Sequence, residues 1–259
     1  MPSEPCLKWQ QPLLDSNAVQ LNAPRNAAPV SLSMTVSAAQ PVICGIPGNR
    51  PEAMAVRKND KPVIVLDVGR VLVDFDLKPW IGALSKNRGE KVTLPPLSAI
   101  DKLFLPVQTG EASLDDIVPE LNASLGVSMA SSEWHALSCS IFTGEMPGMR
   151  QMLRELKNDF FLVALTNTIE VHWIFLLKTY EILKLMDGCI VSYLEGVAKP
   201  DPAIYQAVVD RYCDGGLPYF HTDDLPEYVE AARRMGWRSE VFKSSVQFKN
   251  AVMGRHTKE

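Results

Sequence analysis

The chain of 259 residues has no run of about 18 apolar residues, the length that a membrane-spanning helix needs, so no membrane span is expected. It lacks a basic excess. Its 26 Lys and Arg stand against 30 Asp and Glu, for a net charge of −4, which argues against a reader of nucleic-acid backbones. It has no CxxC pair. The five cysteines (Cys6, Cys44, Cys139, Cys189, Cys213) are odd in number and fit neither a disulfide framework nor a zinc site. Reduced thiols and a cytoplasmic protein are therefore expected. Repeats at solenoid spacing are also missing. The composition, 46% hydrophobic and 22% charged, is ordinary for a soluble protein, and the length suffices for a sizeable core.

Residues 1–53 stand apart. They hold 8 of the 19 prolines, no Phe, no Tyr, three acids and three bases. Such a segment has little from which to build a core, and its prolines break helices and strands. A disordered extension is expected. A secretory signal fits poorly, because the start is acidic (Glu4) and the apolar stretch from Ala27 to Ile46 is cut by Pro29 and Pro41. A second reading places the true start at Met54, which leads directly into the first strand and makes residues 1–53 spurious.

From Pro62 the pattern alternates. Val63-Ile64-Val65-Leu66 is a short apolar run, the mark of a strand covered on both faces. Residues 148–158 carry Met149, Met152, Leu153 and Leu156 at helical spacing. Phe160 to Leu165, Cys189 to Val191 and Tyr219 to Thr222 read as further strands, and Glu240 to Phe242 as an edge strand. Pro202 to Cys213 and Glu227 to Met235 read as helices, the second stopping at Gly236. Strands separated by helices imply an α/β fold with a doubly wound parallel sheet. Residues 77–146, with Trp80, Ile81, Leu84, Leu103, Phe104, Leu114, Ile117 and Leu121, break the alternation and predict a helical insert. The expected division is a core of 54–76 and 147–259 with an insert of 77–146.

Four polar features fall where strands end: Asp67, Thr166-Asn167, Lys199-Pro200 and Asp223-Asp224. Each alone is ordinary, since Asp, Asn and Thr cap helices and form turns there. Together they bring a carboxylate, a hydroxyl, an ammonium and a carboxylate pair to one rim, where such sheets bind ligands. Clustered carboxylates repel unless a cation joins them, and hard oxygen donors suit Mg²⁺. The same set suits a phosphate, with metal and Lys against its charge and a nucleophile beside it.

In order and spacing, these stretches resemble the haloacid dehalogenase-like hydrolases over residues 62–243. They match at Asp67-Val68-Gly69-Arg70-Val71, Thr166-Asn167, Lys199-Pro200, and Asp223-Asp224 followed by a helix with Ala231 and Ala232 that ends at Gly236. A narrower likeness, in Val73-Asp74-Phe75-Asp76 and in Lys199 to Tyr205, is to bacterial sugar-1-phosphate phosphatases. The resemblance implies a Rossmann-like core with a helical cap and Mg²⁺-dependent hydrolysis of a small phosphorylated metabolite. Asp67 would form an aspartyl-phosphate. The Asp67 carboxylate, the Gly69 carbonyl and Asp223, supported by Asp224, would hold Mg²⁺. Thr166 and the Asn167 backbone would grip the phosphoryl oxygens, Lys199 would neutralise charge, and Gly110-Glu111 would sit in the cap's substrate-facing loop. Arg70 is a further candidate for substrate contact, with a solvated turn as its other reading.

One departure matters. Most phosphatases of this family carry a second Asp two residues after the nucleophile, for proton transfer, and here that position is Gly69. Three readings follow: a phosphatase in which water or Asp74 takes over, a metal-independent 2-haloacid dehalogenase, or a binding protein with negligible turnover. His135, His172 and His221 are read chiefly as packing residues, with His172 in a position to face the cap.

Overall fold

Val63–Leu66 (β1) has no polar face to offer water, and all four residues are buried at the centre of a sheet. The structure is a computed structural model. It describes residues 60–92 and 97–254, without the side chains of 97–101, so the expectations for residues 1–53 lie outside it. A tight loop leads from β1 to β2 (Val73–Phe75). Four helices follow: α1 (Lys78–Arg88), α2 (Leu97–Gln108), α3 (Leu114–Leu125) and α4 (Ser131–Cys139). The chain returns through β3 (Phe142–Glu145), which pairs antiparallel with β2. The helical insert thus hangs from a two-stranded ribbon, and residues 142–145 belong to the ribbon's second strand.

The remaining chain winds back and forth. It runs through α5 (Met149–Leu156), β4 (Phe161–Thr166), α6 (Glu170–Thr179), β5 (Gly188–Val191), the short α7 (Ser192–Glu195), α8 (Pro202–Tyr212), β6 (Phe220–Asp223), α9 (Pro226–Arg234), β7 (Ser239–Val241) and α10 (Ser245–Val252). The sheet order is β5-β4-β1-β6-β7, and every pairing is parallel. From β1 the chain builds outward through β4 and β5 on one side, then crosses to β6 and β7 on the other. The topological switch therefore lies at β1, where open α/β sheets place their ligands.

Alternation along β1 divides the core in two. Ile64 and Leu66 pack on one face with Met149, Leu153, Trp173 and Phe248. Val63 and Val65 pack on the other with Tyr205, Val208, Ala232 and Trp237. The insert has its own cluster around Trp80, Leu84, Leu121 and Trp134. Among the described residues no helix is long and apolar enough to cross a membrane. Cys139 and Cys213 are free thiols.

Candidate active site

Parallel register sets the site. Leu66 stands beside Ala164 of β4 and Thr222 of β6, so the residues that follow, Asp67, Thr166 and Asp223, emerge on the same rim. Beyond Asp67 the loop is tied down by Leu72 and Val73 N–H groups, which both donate to the Val68 carbonyl, and by the Arg70 N–H, which donates to Val73. Arg70 takes a left-handed φ of 55° to make this turn.

Lys199 comes from the far end of the sheet, after β5, and its position is dictated by Asn167. The Asn167 side chain accepts from the Lys199 N–H at 2.8 Å and donates to the Lys199 carbonyl at 2.9 Å. The same amide reaches the Tyr228 hydroxyl at 3.3 Å. So held, the Lys199 ammonium donates to Asp67 Oδ1 at 2.8 Å, to Asp223 Oδ2 at 2.6 Å and to the Leu165 carbonyl at 3.1 Å. An ammonium has three N–H donors, and these three acceptors match them in number. Asp67 keeps Oδ2 outside that bond. Asp223 Oδ1 accepts from the Leu225 N–H at 2.9 Å.

Burial opposes the charge on Lys199, but Asp223 and Asp67 outweigh it and hold its pKa above the ordinary range. The balance among the acids runs the other way. Burial, together with the Asp67 charge, pushes Asp223 up despite Lys199. Burial and the charges of Asp67 and Asp223 push Asp224 up. Lys199 bonds Asp67 and Asp223, and Asp224 feels Lys199 and Arg70 only through space, so full ionisation of the three carboxylates still leaves negative charge in excess. Asp67, Asp223 and Asp224 each offer an oxygen within 4.8 Å of the others. Hard oxygen donors, short of positive charge and this close together, fit a small divalent cation.

A cavity of about 190 Å³ opens onto this cluster, lined at its polar end by Asp67, Gly69, Thr166, Asn167, Lys199 and Asp224. It is smaller than the roughly 300–1,000 Å³ common for ligand pockets, which favours a small ligand. Six of the residues singled out in the sequence meet there, with Asp223 buried at its base. Gly69 has a particular neighbour: a Cβ there would lie 3.3 Å from Phe75 Cε1 and 3.7 Å from Asp67 Oδ2. The Phe75 ring closes the space that a side chain at position 69 would need.

Arg70 and Glu111 are not among the residues of this cavity. The Arg70 guanidinium stacks over Phe75, 4.6 Å from the ring centre. Glu111 lines a second pocket with Ser113, Asp116 and Tyr193, and accepts from the Thr109 hydroxyl at 3.2 Å. The reason is local. Gly110 presses so closely on the Tyr193 carbonyl, 2.1 Å from where a Cβ would stand, that its loop packs on the core there. Asp74 is exposed and accepts from the neighbouring Phe75 N–H. His221 is buried, with Nδ1 2.8 Å from the Ser239 hydroxyl. Burial, helped by the Lys199 charge, pushes its pKa down to about 3, so it is a neutral core histidine. His135 pairs with Asp115 at 2.8 Å on the outside.

Sequence reasoning missed the grip of the Asn167 side chain on Lys199, the Tyr228 ring 4.8 Å from the Lys199 ammonium, and Phe75. The Asn two places beyond a strand's last core residue carried a signal for the first. Nothing in the sequence pairs Tyr228 or Phe75 with the site.

The family profile described as haloacid dehalogenase-like hydrolase matches residues 98–238. A phosphatase of Mycobacterium tuberculosis is 30% identical over 205 residues, covering 73% of this chain and 91% of that protein. The chain belongs to the haloacid dehalogenase-like hydrolases. Solved structures share the fold. A family enzyme of Bacteroides thetaiotaomicron, crystallised as a magnesium complex, superposes with a TM-score of 0.62 at 20% identity, over 74% of this chain and 100% of that one. A hydrolase of the family from Porphyromonas gingivalis gives 0.58 at 20% identity, over 75% and 97%. An L-2-haloacid dehalogenase gives 0.51 at 20% identity, over 73% and 87%. This hydrolase therefore carries its polar cluster on the family's own fold.

Proposed function

We propose that this hydrolase is a Mg²⁺-dependent phosphatase of small phosphomonoesters that works through an aspartyl-phosphate at Asp67. The observation that carries the reading is the cluster of three carboxylates, two of them buried on Lys199 and the third, Asp224, within 4.8 Å of both, short of positive charge and open to a small cavity. A metal-independent dehalogenase needs no cation, whereas three carboxylates within 4.8 Å of one another call for one. Asp67, Asp223 and Asp224, with the Gly69 carbonyl, would hold Mg²⁺, which supplies charge against the phosphoryl oxygens.

The chain's own residues account for the rest. Lys199 fixes Asp67 Oδ1 and leaves Oδ2 to attack phosphorus. As the Oδ2–P bond forms, the P–O bond to the alcohol breaks, and the leaving oxygen takes a proton from water. A second water then cleaves the aspartyl-phosphate, releasing inorganic phosphate and restoring Asp67. The Thr166 hydroxyl and the backbone of Asn167 face the phosphoryl oxygens. With Gly69 unable to move protons, good leaving groups are favoured, since positioned acid–base help is worth roughly 10²–10⁴-fold. The helices of the insert, hinged on the β2–β3 ribbon, act as a cap that keeps bulk water from the site.

The experiment is phosphate release from p-nitrophenyl phosphate by the full chain with Mg²⁺, with EDTA, and by Asp67→Asn. Release that needs both the metal and Asp67 supports the reading. Chloride release from 2-chloropropionate in EDTA would replace it with dehalogenation.

A further inference from the structure

Away from the carboxylates the cavity changes character. Leu77, Trp80, Phe104, Ile141, Phe142 and Leu176 line it, from the insert, the ribbon and α6. These rings are held in place. Phe142 stacks on Phe175 with centres 5.9 Å apart and meets His172 edge-on at 5.2 Å. Trp80 meets the buried Trp134 edge-on at 6.0 Å.

Hydrogen-bonding groups in this wall are few, and several are already engaged. The Asn167 side chain is committed to Lys199 and Tyr228. The Ser138 hydroxyl donates to the His135 carbonyl, and the Thr168 N–H donates to Ser192. Two wall residues have a buried side-chain nitrogen with no partner among the described residues, Trp80 Nε1 and His172 Nε2, and the half-buried Gln108 adds one amide at the edge. Burial pushes the His172 pKa down to about 4, so its ring is neutral. A polyol in this space would bury hydroxyls against carbon, each losing its water without a replacement. An apolar group there loses only unfavourable hydration.

We propose, on the phosphatase reading above, that the substrate is the phosphate ester of an apolar alcohol, alkyl or aromatic, with few polar atoms beyond those that Trp80 Nε1, His172 Nε2 and the Gln108 amide can meet. This sets aside the sugar phosphate suggested by the narrower sequence likeness.

Hexyl phosphate and glucose 6-phosphate test it, because both are esters of primary alcohols with the same carbon count and differ in their hydroxyls. Acetyl phosphate serves as a compact phosphoryl donor that does not need the wall. With the full chain and Mg²⁺, kcat/KM for hexyl phosphate exceeds that for glucose 6-phosphate by at least about tenfold, the low end of what one methylene is worth in a fitted apolar pocket. Phe104→Asn lowers that ratio. A ratio at or below one, with acetyl phosphate turned over, overturns the apolar class and leaves the phosphatase reading standing. If wild type and Asp67→Asn are equally inert toward all three, the phosphatase reading fails and the substrate class falls with it.

Discussion

Replacing Lys199 with Met keeps the length of the side chain and removes its charge. The ammonium is 1% exposed, and its partners Asp67 and Asp223 are 10% and 0% exposed. Removing one member of a buried ion pair costs about 3–5 kcal/mol, because the partner's charge is left uncompensated. At about 2–4 °C per kcal/mol for a chain of this size, the melting temperature falls by about 6–20 °C. The loss has a pH signature. Without Lys199, burial and repulsion from Asp67 raise the folded-state pKa of Asp223 further above its unfolded value. A raised carboxylate contributes stability that is present below its unfolded pKa and lost as pH rises through the folded one. The gap between wild type and Lys199→Met is thus smaller near pH 5 and larger near pH 8, in Mg²⁺-free buffer. Urea denaturation at the two pH values measures it. A loss under about 1 kcal/mol, or one equal at both pH values, would refute the claim that Lys199 is the cluster's counter-charge.

Asn167→Ala removes two hydrogen bonds to the Lys199 backbone, at 2.8 and 2.9 Å. At about 0.5–1.5 kcal/mol each the loss is about 1–3 kcal/mol by denaturation, accompanied by lower kcat as Lys199 loses its position; unchanged stability would show that Asn167 does not fix the loop. Asp223 and Asp224 lie above the ordinary carboxylate range, so protons compete with a metal for them. Stabilisation by saturating Mg²⁺ in thermal scans is therefore larger near pH 8 than near pH 5, and equal shifts would contradict this. Gly69→Asp crowds Phe75, whose ring lies 3.3 Å from the new Cβ. It costs about 1–3 kcal/mol by urea denaturation, and Phe75→Ala in the same chain recovers part of it; no cost would mean that the ring gives way freely.

The fold was legible where burial leaves a plain record. Val63 to Leu66 and Phe161 to Leu165 are apolar without interruption, and strands covered on both faces read that way. Helix α5 shows its stripe because only one face is buried. Helix α6, Glu170–Thr179, shows none: Val171, Trp173, Ile174, Phe175, Leu176 and Leu177 surround it, since the core takes one side and the cavity and ribbon another. The ribbon was illegible for a different reason. Phe142–Glu145 carries Thr143, Gly144 and Glu145, and its pairing with Val73–Phe75 spans the whole insert, a distance at which no local pattern speaks. At the site, the ionisable residues were legible because strand ends collect them. The residues that position or confine them were not: Asn167 acts through its side chain rather than its backbone alone, and Phe75 and Tyr228 reach the site through tertiary packing. Glu111 shows the converse, an acid at an expected place in sequence that the contact of Gly110 with Tyr193 turns to another pocket.

The most direct measurement asks whether Asp67 carries phosphate during turnover. The enzyme is mixed with acetyl phosphate and Mg²⁺, quenched in acid, reduced with borohydride and digested. Reduction of an aspartyl-phosphate converts that residue to homoserine, which peptide mass spectrometry locates. The account predicts homoserine at position 67, dependent on Mg²⁺ and on the phosphoryl donor. An unmodified Asp67 alongside steady phosphate release, or homoserine at Asp223 or Asp224 instead, would contradict it.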